Sequence, residues 1–153
     1  MLVKNICDEV LSVGRVGMLV DHPEIAPGVA MSQAERSRSG LRPYFALYRA
    51  EDILDWDEGR VGTRYQPIYY KLREEVKRGD WYDYDYRELK LDATRGYYQV
   101  VWTRETAKSE YVAHEVFPRD AGGQPFGYIP FRVFSPRGLG MSVERPPLLD
   151  LIT

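Results

Sequence analysis

Apolar residues Val3, Ile6, Val10 and Val13 recur at spacings of three and four, which places them on one face of a helix. Gly14 follows where a helix end favours a left-handed residue. The spacing predicts a helix over 2–13. The next run, RVGMLVD, is short, apolar and bounded by glycine at one end and DHP at the other, so it reads as a buried strand. Between His22 and Arg42 the pattern breaks at two prolines and two glycines, yet Ser32 followed three residues later by Glu35 has the form of a capping box. A loop with one short helix near 33–38, stopped by Gly40, is expected there.

RPYFALY sets Pro43 at a strand entrance, and AEDILDW after it reads as a single helical turn before the chain extends again. Two further strands are expected to flank DEGRVG. RYQPIYYKLREEV, YDYDYRELKL, GYYQVVWTRE and EYVAHEVF are each of strand length, and KRGDW, DATRG and TAK separate them, as in an antiparallel meander. In YDYDY the strict alternation predicts that Tyr82, Tyr84 and Tyr86 share one face and pack against another element, leaving Asp83 and Asp85 on a wet face. GYIPFRVF carries Pro130 and so belongs at a sheet edge or a bulge. Finally, Pro146-Pro147 is a helix-start signal followed by Leu148, Leu149, Leu151 and Ile152. Only about two turns remain, a helical stub that either packs on the body or belongs to a longer sequence. The pattern amounts to an α+β fold, mostly antiparallel sheet with an N-terminal helix, a short helix in the 22–42 loop and the C-terminal stub, as one domain over 1–153.

Composition adds the aromatic emphasis: 12 tyrosines, three tryptophans and five phenylalanines, weighted to the middle and C-terminal half, favour a β-rich body. The formal net charge of -2 leaves the whole chain without an electrostatic footprint for nucleic acid or anionic membrane. One cysteine, Cys7, excludes an internal disulfide and an all-cysteine zinc site. No run approaches the roughly 18 apolar residues of a membrane span, and the acids in MLVKNICDEV are unlike a secretory signal. The expectation is a soluble chain made in the cytoplasm and not exported.

The raw material for catalysis is sparse. His22 lies beside Asp21 and Pro23 in a turn, His114 falls within a strand, and Cys7 is flanked by Asp8 and Glu9, which blunt it as a nucleophile. Asp80, Asp83 and Asp85 lack the central glycine and terminal glutamate of a calcium loop. GRVG occurs at 14–17 and 59–62, but its flanks share nothing, and no G-K-[ST] follows to make a phosphate loop. The reading therefore expects no catalytic residue, cofactor, metal or small-molecule substrate. Candidate interaction residues are Arg36, Arg38 and Arg42, clustered on a long loop, with Tyr82, Tyr84 and Tyr86 and the terminal Leu148 and Leu149.

Several stretches together resemble a family of tailed-phage proteins of the portal, or head–tail connector, group. They are GRVGMLVDHP, SQAERSRSGLRPYFALYRAEDILDW, KLREEV, YRELKLD with YYQVVWTRE, and GYIPFRVF followed by RPPLLDL. RPYFALYRAEDILDW is the most specific, and the resemblance runs from about residue 10 to the end. It implies the β-rich wing portion of a longer portal-like protein in which PPLLDL continues into a helical region. The implied role is structural, in a ring through which phage DNA is packaged and released. The implied partners are copies of the chain in the full-length protein and other phage head or tail proteins, with DNA met only through the complete assembly and no membrane. The implied location is the portal vertex of the virion after synthesis in the bacterial cytoplasm. No stretch corresponds to a pore-lining stem or a tail-binding clip, so channel function falls to no residue here. The alternatives from other classes are a stand-alone binding module with a tyrosine-rich face and a small enzyme using the carboxylates near 80–85.

Overall fold

The β-patterned runs sort into two antiparallel sheets with a helix beside the smaller one. The computed structural model describes residues 1–21, 43–120 and 122–135. Helix α1, Leu2–Val13, ends at Gly14, whose φ of 87° is left-handed and whose N–H donates to the carbonyl of Val10. Strand β1, Val16–Asp21, lies between β2, Tyr44–Arg49, and β8, Phe131–Phe134, in the three-stranded sheet. The larger sheet is a meander of five: β3 Ile53–Val61, β4 Arg64–Arg78, β5 Trp81–Asp92, β6 Gly96–Thr103 and β7 Val112–Val116. A 3-10 turn over Ala50–Asp52 passes the chain from the small sheet to the large one, as the single helical turn read in AEDILDW.

Alternation along each strand decides what lies between the sheets. Leu19 and Tyr48 of the small sheet meet Tyr70, Leu72, Leu89, Leu91 and Tyr97 of the large one, with Ile53, Ile129 and Phe131 completing the buried cluster. Gly17 is required here: a Cβ would run into the Phe131 ring and stand 3.1 Å from Ile53. Helix α1 lies on the opposite side of the small sheet, because Glu9 pairs at 3.4 Å with Arg49, the neighbour of core-facing Tyr48. Pro130 directly precedes edge strand β8, and its carbonyl accepts a hydrogen bond from Val20. That is the edge position expected of it.

One turn differs from the sequence reading. DEGRVG does not separate two strands; β3 runs through it to Val61, and the chain reverses at Gly62, φ 62°. A register shift at Asp57/Glu58 absorbs the irregularity, and Gly59 leaves room for Ile68, so this glycine serves packing and Gly62 serves the turn. The helix expected near 33–38 and the stub beyond Pro146 lie outside the described residues.

Candidate functional site

The hairpin of β4 and β5 corrects the main site expectation. Tyr82, Tyr84 and Tyr86 do share a face, but it is the outer one: Tyr82 is 65 % exposed and Tyr84 40 %, whereas Asp83 and Asp85 are only 4 % and 7 % exposed. The expected packing of the tyrosines and the wet acidic face are both reversed. The physical reason lies in strand length and in the partners available. β4 and β5 have 15 and 12 residues, while the strands of the small sheet have four to six, so the apolar filling ends before the hairpin does. Beyond it, arginines make inward acids affordable. Arg104 grips Asp83 through two contacts, Nε to Oδ2 at 2.7 Å and Nη2 to Oδ1 at 2.5 Å, and Arg78 bridges Asp83 and Asp85. Hydrogen bonds from Arg104 hold the Asp83 carboxyl down to about 2 against the opposing effect of desolvation.

Closer to the apolar centre a second network joins the two sheets. Arg87 donates to Glu74 at 2.6 Å, to Asp21 at 3.1 Å and to the Gln99 carbonyl oxygen at 2.5 Å. Gln99 in turn donates to Asp21 at 3.1 Å, Tyr48 donates to Glu74 at 2.5 Å and Tyr44 to Asp21 at 2.8 Å. Burial opposes the Arg87 charge, but Glu74 foremost, with Tyr48 and Asp21 after it, outweighs burial and raises its pKa. The Tyr48 phenol is pushed up first by burial and then by the Glu74 charge, so it stays a neutral donor. Charges here are spent on one another. The arrangement fastens β1 and β2 to β4, β5 and β6; it does not aim a base at a nucleophile.

On the outside of the same strands, side chains of β4 lie over the rings of β5. Lys77 stands 6.0 Å from the Tyr82 centroid, Arg73 4.7 Å from Tyr84 and Lys71 5.8 Å from Tyr86. Tyr86 also meets Tyr111 edge-on at 5.4 Å, and the Tyr111 hydroxyl donates to the Tyr84 carbonyl at 2.8 Å. These contacts fix the tyrosines in rows on the outer face, with Tyr82 and Tyr84 exposed and Tyr86 half-buried, a surface with little left to lose on binding.

Of the other candidates, Arg36, Arg38, Arg42, Leu148 and Leu149 lie outside the described residues. Cys7 is exposed on α1, His114 is exposed on β7 and Asp80 sits in the exposed turn after Gly79. Among the described residues no group of three His, Cys, Asp or Glu side chains is placed to hold a metal ion. None of the described helices is long and apolar enough to cross a membrane. The sequence reading missed Asp21, Glu74, Arg87 and Gln99, although RELKL held the signal. Leu89 and Leu91 set the inward parity of β5, and counting back by twos gives Arg87, Asp85 and Asp83. No family model matches the chain, and no curated protein matches it either.

Proposed function

We propose that the chain is a structural, non-catalytic portion of a phage portal-like head–tail connector, resembling its wing. The observation that carries this reading is the inverted β4–β5 hairpin, with its acids locked in ion pairs inside and its tyrosines and cations displayed outside. Rigid tyrosines beside long cationic stems suit contact with another protein, because aromatic and arginine side chains supply interface area and polar anchors together. The stretches that resemble portal proteins run through this body: RPYFALYRAEDILDW is the β2, 3-10 turn and β3 passage, and KLREEV with YRELKLD forms the hairpin. On this reading the partners are copies of the same chain and neighbouring head or tail proteins, and DNA is met only by the finished ring. Its place is the portal vertex of the virion, after synthesis in the bacterial cytoplasm.

The same tyrosine face also favours the second reading, a stand-alone binding module. The carboxylate-dependent enzyme draws no support from acids already held by arginine. Expression of the complete native reading frame, followed by negative-stain electron microscopy, tests the proposal. Rings with a central channel are expected, and a homogeneous monomer would overturn it in favour of the binding module.

A further inference from the structure

The β4–β5 hairpin outruns the strands beside it. The last pairing between β5 and β6 is Tyr86 with Trp102, so residues 81–85 meet no strand on that side among the described residues. On the other side β3 reaches no further than Ile53 against Leu72. A two-stranded ribbon with open edges invites pairing with another chain. The β4 edge answers this with the exposed charges of Glu75 and Lys77. The β5 edge displays tyrosines instead, and its two acids face inward, already held by Arg78 and Arg104. Strand-favouring rings without an outward charge leave this edge in need of another guard.

The loop between β6 and β7 straddles that edge. On the inner face Arg104 reaches Asp83, Nε to Oδ2 at 2.7 Å, while its Nη1 donates to the Ala107 carbonyl at 3.1 Å and so ties the loop to itself. On the outer face the Tyr111 hydroxyl donates to the Tyr84 carbonyl at 2.8 Å, the kind of bond a neighbouring strand's N–H would make there. The Arg104 guanidinium stands 4.9 Å from the Tyr111 ring and joins the two arms. Between them Thr106 and Ser109 close a turn: the Thr106 N–H donates to Ser109 Oγ at 2.8 Å, and the Ser109 N–H donates to the Thr106 carbonyl at 3.1 Å. The loop is a folded piece with its own bonds, not a slack connection.

We propose that loop 104–111 is a latch that keeps the open edge of β5 from pairing with the same edge of a second copy. A second copy is the occupant because an edge meets its twin antiparallel about a two-fold axis. In the register that keeps the acids inward, the exposed tyrosines of the two copies lie side by side. Residues two apart in a strand aim their N–H and C=O groups the same way, so Tyr82 presents its backbone on the side where Tyr84 meets Tyr111. The latch works in the free chain and does not depend on the ring reading.

The test uses the full chain carrying Arg104→Gln and Tyr111→Phe, in which Arg78 still faces Asp83. Light scattering at matched concentration should give about twice the native weight-average mass or more. Adding Tyr82→Pro, which removes one backbone donor from the open edge, should return the mass to the native value. Unchanged mass in the folded double variant would overturn the proposal, and so would association that survives Tyr82→Pro. Tyr111→Phe alone, a single lost hydroxyl, serves as the second measurement if the double variant does not fold. At a dilution where it is monomeric, its amides over 81–86 should exchange about threefold faster or more than in the native chain. Equal rates would likewise overturn the latch.

Discussion

Phe131 fills the space that a side chain on Gly17 would take, and this is why β1 has glycine in the middle of a buried strand. Gly17→Ala is expected to destabilise the fold by about 1–3 kcal/mol through overpacking, seen as a lowered melting temperature by circular dichroism. Arg87 answers a different need, holding two inward carboxylates at once. Arg87→Met leaves Asp21 and Glu74 without that cation between the sheets, and a loss of about 3–5 kcal/mol is expected in urea unfolding at neutral pH. Asp83 reports on pH. Its pKa is lowered in the fold, from an ordinary 3.8 to about 2, so its ionisation adds stability that is fully present above the unfolded value and is lost as pH falls through the folded one. The gap in urea midpoint between the native chain and Asp83→Asn should hold steady above about pH 5 and close between about pH 4 and pH 2. A gap independent of pH across that window would mean that Asp83 acts by shape alone.

Among the elements, α1 was the plainest to read, because apolar spacing and Gly14 as terminator point the same way. The meander strands were legible for a similar reason: Gly79 and Gly96 take positive φ at the turns, and Asp92 accepts hydrogen bonds from the N–H groups of Thr94 and Arg95. The sense of the β5 faces was misread because tyrosine was weighed as an apolar residue. Leu89 and Leu91 already fixed the inner parity, and a strand without a bulge cannot change it halfway. The outward tyrosines therefore serve something other than the core. Tyr82→Ser with Tyr84→Ser should move stability by no more than about 1 kcal/mol in urea unfolding, the scale of exposed cation and ring contacts. A loss of several kcal/mol would return these rings to the interior.

At the scale of the whole molecule, the division into two sheets was not legible in the linear pattern. Val16 pairs on one side with Arg49 and on the other with Phe134, and no local signal in GYIPFRVF says that it joins β1 instead of extending the meander. The polar network that fastens the sheets was hidden for the same reason, since Asp21, Glu74, Arg87 and Gln99 come from four separate strands. What could be read was the residue content of the hairpin; what could not was the short sheet that leaves its acids beyond the apolar centre. Contact of this hairpin's tyrosine and cation face with other subunits is the proposal that ring assembly tests. Its most direct measurement is the ring yield, by light scattering and electron microscopy, of the complete native reading frame with and without Tyr82→Ser and Tyr84→Ser. Rings are expected from the native protein, and their loss in the variant at an unchanged melting temperature. Undiminished rings from the variant would contradict it.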